Sequence, residues 1–161
     1  MKGMIRMDGD ERWPAAELDD VRRLRVMAAA IPGGRVSERV LPVPLDEVWA
    51  VMGDLEDGFG RFQPDMRRVR VVRAERGRVV ALARSRFGMR ARLEGTLRPG
   101  WCWLQSRFLI IGMAAASEPG GGTRVAVTGG VRVPGRAAIV PVGVRRELDR
   151  ALARLEEQLR V

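Results

Sequence analysis

A four-residue rhythm closes the chain, and two-residue alternation fills its middle. Across residues 139–161, Val140, Val144, Leu148, Leu152, Leu155 and Leu159 recur at helical steps, the stripe of a helix with one apolar face. Arg145, Arg146, Asp149, Arg150, Arg154, Glu156, Glu157 and Arg160 fall on the opposite side. The spacing predicts a helix of roughly 22 residues that needs an apolar surface to lie on. Strands supply it. Alternation predicts one at 35–41 and six more at 66–74, 78–87, 89–98, 101–108, 110–117 and 123–133. Glu75-Arg76-Gly77, Gly88, Pro99-Gly100 and Pro119-Gly120-Gly121-Gly122 provide turn chemistry between most of them. Between the fifth and sixth strands of the chain, 101–108 and 110–117, Gly112 is the only break available.

Ahead of the strands, residues 1–14 read as polar and irregular. A helix follows at 15–30, with Leu18, Val21, Leu24 and Met27 or Ala28 inward, and Pro32-Gly33-Gly34 ends it. Pro42 and Pro44 close the first strand, and a short helix at 45–52 opens with Asp46 and Glu47 in its first turn. Gly53, Gly58 and Gly60 leave Phe59, Phe62 and Pro64 in a loop or short turn. Hairpins ending in a helix imply an α+β class, with an antiparallel seven-stranded sheet covered on one face. Residues 1–34 form an extension with one helix, and 35–161 form the domain.

In the fourth strand Met89, Ala91, Leu93, Gly95 and Leu97 alternate with polar residues and face the helix. A turn over Pro99-Gly100 pairs Leu97 with Cys102, Gly95 with Leu104 and Leu93 with Ser106, so Cys102, Leu104, Ser106 and Phe108 point inward. Similar reasoning pairs Val125 with Ala116 and Val127 with Ala114. Ala91, Gly95, Ala114, Ala116 and Gly129 are short, which leaves a hollow unless Met89, Phe108 or Trp49 fills it.

The local motifs add to this pattern. A strand followed by Pro-Val-Pro-Leu-Asp-Glu-Val-Trp ending at Trp49, Asp54-Leu55-Glu56, and Phe62-Gln63-Pro64 before a strand resemble the opening of the START/Bet v-type helix-grip proteins, also labelled SRPBCC or polyketide cyclase/dehydrase and lipid transport. The stretch from Arg98 to Phe108 and the closing helix are similar to actinobacterial members. The resemblance covers residues 35–161. It implies a helix-grip fold around an apolar cavity that binds or transports a lipid, polyketide or quinone-like molecule. Phe59, Phe62 and Met89 would stand at its mouth, with Leu93, Leu104, Ser106, Phe108, Ala114 and Leu148 inside.

Composition narrows the chemistry. Of 161 residues, 46% are apolar and 30% charged, as in one globular domain. No run is long and apolar enough to span a membrane, and the first thirteen residues lack a signal-peptide core, so a cytoplasmic protein is expected. One Cys excludes an internal disulfide and a multi-cysteine metal site; neither metal nor cofactor is expected. His and Tyr are absent, no acid falls on the inner positions, and neither Ser106 nor Cys102 has an activating partner. No catalytic residue is assigned, which favours binding over a cyclase/dehydrase-type enzyme.

Lys2 is the only Lys among 29 basic residues, a skew that reads first as codon bias. Their distribution is less neutral. Residues 61–98 hold twelve Arg against three acids, and this net of +9 equals the charge of the whole chain. Arg68, Arg70, Arg84, Arg86, Arg90 and Arg92 share the outward face of three neighbouring strands, an unfavourable crowding of like charge. Three readings follow: an external anion such as RNA, a ribosome or lipid headgroups; cover by the acidic 8–20 segment or a second copy of the chain; or a solvated face. In the second, outward Trp101 and Trp103 would receive Leu18, Val21 and Leu24.

Overall fold

A computed structural model describes residues 18–63, 66–132, 139 and 143–160 of the chain. The chain runs α1 (Asp20–Ala29), β1 (Val36–Leu41), α2 (Leu45–Met52), α3 (Phe59–Phe62), β2 (Met66–Glu75), β3 (Arg78–Ser85), β4 (Arg90–Arg98), β5 (Trp101–Gln105), β6 (Leu109–Ser117), β7 (Thr123–Val131) and α4 (Val144–Leu159). All seven strands form one antiparallel sheet in the order β1-β7-β6-β5-β4-β3-β2. Hairpins join β2 through β7 in succession, and β1 completes the sheet beside β7. This is the helix-grip arrangement that the element order implies.

The apolar stripe seats α4. Val144, Leu148, Leu152 and Leu155 are buried, Leu152 and Leu155 at 1% and 0% exposure. Two polar ties fix α4 against β1: the Ser37 hydroxyl bonds Asp149, and Arg39 donates to Glu156 at 2.6 Å. The helix is shorter than the rhythm predicts. It begins at Val144 after Gly143, whose φ of 74° is left-handed, and Ile139 instead bridges Arg132; Val140 lies outside the described residues. Beneath α4, Met52, Phe59, Phe62, Leu93, Leu104 and Met113 fill the middle of the molecule.

α1 lies on the other side of the sheet. Asp19 caps it by accepting from the Arg22 amide at 2.9 Å, so it starts five residues later than periodicity suggests; residues 15–17 lie outside the described set. Val21 and Leu24 pack on Trp101, Ala114 and Ala126, with Trp103 alongside. Leu18 does not join them and is 42% exposed. Asp20 binds Arg98 through two contacts of 2.8 and 2.5 Å, and the Trp101 indole donates to Thr96 at 3.1 Å. Asp20 of the acidic lead-in thus pairs with Arg98; residues 8–17 lie outside the described residues.

Three local expectations change. Phe59–Phe62 is a short helix with both aromatic rings buried at an edge-to-face centroid distance of 5.4 Å, because burial outweighs the poor helix propensity of the intervening Gly60. The fifth and sixth strands of the chain, β5 and β6, divide at Ser106–Phe108: the Ser106 hydroxyl accepts from the Phe108 and Leu109 amides at 3.2 and 3.0 Å, while Gly112 sits inside β6. The β6–β7 register is one residue from expectation. Ser117 pairs with Thr123 across a five-residue connection, so Val125 faces Ala115 and Val127 faces Met113. A one-residue slip exchanges the two faces, and it places Ala114 and Ala116 beside α1.

Cys102 is fully buried, and burial pushes its thiol up to about 12. It stays protonated near neutrality and is a poor nucleophile. Native protein at pH 8 should therefore resist a thiol reagent until it unfolds. Unfolded Cys ionises near a pKa of about 8.5. The stabilisation from the buried neutral thiol is complete below that value and is lost as pH rises toward about 12. The chain has no Tyr and a single Lys, so few other side chains ionise there. Urea stability should fall by roughly 1.4 kcal/mol or less per pH unit above pH 9, and Cys102→Ala should flatten that slope. An equal slope in the variant would refute the assignment.

Candidate functional site: an apolar cleft at one end of the sheet

The hollow opens at one end of the sheet rather than through its middle. It is a cleft of about 500 Å³ between the start of α4 and the ends of three sheet segments. Val144, Glu147 and Leu148 of α4 form one wall, and Phe59, Gln63 and Met66 form another. Ala83, Ser85, Phe87, Met89, Arg90 and Ala91 come from the β3–β4 hairpin. Phe108, Leu109 and Ile111 enter from the β5–β6 connection and β6, and Thr128 to Val131 complete the lining from β7. The volume lies within the range of small-molecule sites, roughly 300–1,000 Å³.

Each wall has a local cause. Ser85 ends β3 by accepting from the Phe87 and Met89 amides at 3.3 and 3.1 Å, and Gly88 takes a left-handed φ of 81°. That tight turn lifts Phe87 and Met89 off the sheet, where they are 74% and 63% exposed. The Ser106 turn does the same for Phe108, 50% exposed. On β7 the adjacent Gly129 and Gly130 have φ of 151° and 144°, so that stretch carries no side chain to fill the space. Ala83 and Ala91, cross-strand partners, are short enough to leave the floor open.

Of the residues expected at the site, Phe59, Met89, Phe108 and Leu148 line this cleft. Phe62, Leu93 and Leu104 are 0%, 0% and 1% exposed and belong to the filled core. Ser106 spends its oxygen on backbone amides outside the cleft lining, and Ala114 lies under α1 on the opposite face of the sheet. The polar members are Gln63, Ser85, Arg90, Glu147 and Thr128, the last with its hydroxyl donated to the Arg35 carbonyl. Ser85 was legible: Val79, Ala81 and Ala83 are the buried row of β3, and the same alternation carries Ser85 onto it. The Ser85 hydroxyl still has a proton to donate. Glu147 corrects the expectation that no acid reaches the cleft; it stands between Val144 and Leu148 at the edge of the stripe, exposed to water while lining the opening.

The arginine face is arranged more tightly than alternation alone predicts. Arg68, Arg84 and Arg90 are direct partners across β2, β3 and β4, and the next row is Arg70, Leu82 and Arg92. Together they border a shallow groove of about 550 Å³. Arg92 has a partner in Glu94 at 3.1 Å. Arg86 lies in the hairpin turn beyond β3, stacked over Phe87 at 4.8 Å, rather than in the strand row. Among the described residues no carboxylate pairs with Arg68, Arg70, Arg84 or Arg90, no three His, Cys, Asp or Glu side chains group as a metal site, and no helix is long and apolar enough to cross a membrane.

Solved structures share this architecture. The Zhui aromatase/cyclase from Streptomyces sp. R1128 superposes with a TM-score of 0.55 at 16% identity, covering 80% of this chain and 96% of its own. A START superfamily protein from Mycobacterium smegmatis gives 0.56 at 11% identity, covering 79% and 97%. Protein MLL2253 from Mesorhizobium loti gives 0.60 at 14% identity, covering 79% and 96%. No protein-family model and no curated protein matches the sequence. The chain thus has the helix-grip fold of START-type proteins, and at these identities the likeness is one of fold, which hosts many functions.

Proposed function

We propose that this helix-grip chain binds a hydrophobic small molecule non-covalently in the end cleft, with a lipid, polyketide or quinone-like body as the ligand class. One observation carries the reading: an open cleft of about 500 Å³ whose lining is largely apolar and whose rim keeps Phe87, Met89 and Phe108 in water at 74%, 63% and 50% exposure. Apolar surface left in water becomes favourable once a ligand covers it, at about 25 cal/mol per Å². Ser85 and Gln63 supply hydrogen-bonding groups along the lining. Arg90 and Glu147 supply charge beside the apolar body. An amphipathic ligand with one polar end fits that distribution.

Native mass spectrometry of protein purified from its host should show a carried ligand, and a fluorescent fatty-acid probe should bind and be displaced by it. Ala91→Trp places an indole into the floor and should weaken probe binding at least tenfold, by roughly 1.4 kcal/mol or more, with circular dichroism unchanged. Leu93 is unsuitable for this purpose because it lies in the filled core. No carried ligand together with no probe binding would sink the reading. A cyclase-type alternative draws on the Glu147 carboxylate at the opening, a potential proton acceptor. Turnover of an aromatic polyketide precursor that disappears in Glu147→Gln would establish it.

A further inference from the structure

The rim and the arginine face meet. Phe87, Met89, Phe108 and Val131 are 74%, 63%, 50% and 50% exposed, and all four surround the same opening. Single exposed hydrophobes are ordinary, but four around one mouth form a patch that needs an occupant. Arg107 lies over Phe108 at 6.0 Å and Arg86 over Phe87 at 4.8 Å. Arg90 lines both the cleft and the arginine groove, so cations continue from the mouth along the Arg84 and Arg68 positions of the adjoining strands. Leu82, 41% exposed, sits between Arg70 and Arg92 in the next row.

We infer that this end of the molecule docks on an anionic lipid bilayer, with Phe87, Met89, Phe108 and Val131 entering the headgroup boundary and Arg68, Arg84 and Arg90 meeting the lipid anions. Charge complementarity and side-chain type choose the occupant. A bilayer uses the greasy rim and the cations together. RNA would use the cations and stack on the phenyl rings, but it has no use for Met89, Val131 or Leu82. A second copy joined face to face would set the +9 segment against itself. Docking needs the rim and the cations alone; loading the cleft from the bilayer rests on the binding reading above.

The test is co-sedimentation of the full chain with phosphatidylglycerol-containing vesicles and with pure phosphatidylcholine vesicles, at low and high salt. Binding should require phosphatidylglycerol and fall as salt rises. The double variant Arg68→Glu/Arg84→Glu should lose about tenfold or more in vesicle affinity while taking up the fatty-acid probe like the unaltered chain. Both arginines are exposed strand residues, and circular dichroism confirms folding. Phe87→Ser/Met89→Ser should also lose vesicle binding. Indifference to phosphatidylglycerol, equal binding to phosphatidylcholine, arginine-dependent retention on RNA without vesicle binding, or self-association that buries Phe87 would each overturn docking. Vesicle binding without probe uptake would uphold docking and remove the ligand reading. Probe uptake without vesicle binding would overturn docking alone.

Discussion

Gly129→Val should lower the melting temperature by roughly 10 °C or prevent folding altogether. Two independent penalties meet at this residue. Its φ of 151° is a conformation that side chains other than glycine rarely adopt, at a cost of about 1–3 kcal/mol. A Cβ there would also stand 2.4 Å from the Ile110 carbonyl oxygen. That oxygen belongs to the neighbouring strand and cannot rotate away, so β6 and β7 must separate. Forced overpacking adds about 1–3 kcal/mol, and in a chain of this size each kcal/mol lowers the midpoint by roughly 2–4 °C. Gly120→Val is the matched control. A Cβ at Gly120 meets no atom within 4 Å, so its effect should stay within about 0.5 kcal/mol. Differential scanning calorimetry of the two variants decides. Equal midpoints would show that the glycine pair is not a structural requirement of the cleft wall.

The same stretch shows where the sequence was legible. The β4–β5 register is readable because Pro99-Gly100 is a tight two-residue turn, and Leu97 does face Cys102 and Gly95 does face Leu104. The β6–β7 register is not. Gly120, Gly121 and Gly122 accept several loop geometries, and Ala114, Ala115 and Ala116 offer no contrast between faces. Met113 therefore enters the core where small residues were expected, and the middle of the grip fills. Depth was the second obstacle. Alternation assigns Leu93 and Leu104 to the inner face correctly, yet nothing local distinguishes an inner residue under α4 from one beyond its end. The cleft lies where α4 begins, and that point is set by the left-handed Gly143 rather than by the apolar rhythm. Phe59, Met89, Phe108 and Leu148 reach the opening because they stand near chain reversals or the start of α4; the missed Ser85 ends the same strand row.

Leu24→Ala should cost about 2–5 kcal/mol and release α1 from the sheet before the rest unfolds. Leu24 is completely buried, and its seat is Gly112. A Cβ on Gly112 would lie 3.0 Å from Leu24 Cδ1, 3.0 Å from Trp103 Cε3 and 2.6 Å from Thr128 Cγ2. The glycine therefore makes a notch in β6 that the leucine fills, with Trp101 alongside. Gly112→Ala overfills the same notch and should cost about 1–3 kcal/mol. The two changes are opposite in volume and touch one another, so they should not add. In the double variant the new methyl group enters space vacated by Leu24, and the loss should be smaller than the sum of the two singles by about 0.5–3 kcal/mol. Recovery stays incomplete because Thr128 cannot yield freely: its hydroxyl donates to the Arg35 carbonyl at 2.5 Å. Urea titrations followed by tryptophan fluorescence, to which Trp101 and Trp103 contribute two of the four indoles, measure all three variants. Strict additivity would mean that α1 does not rest on this notch, and the outer face of the sheet would then need another account of its two tryptophans.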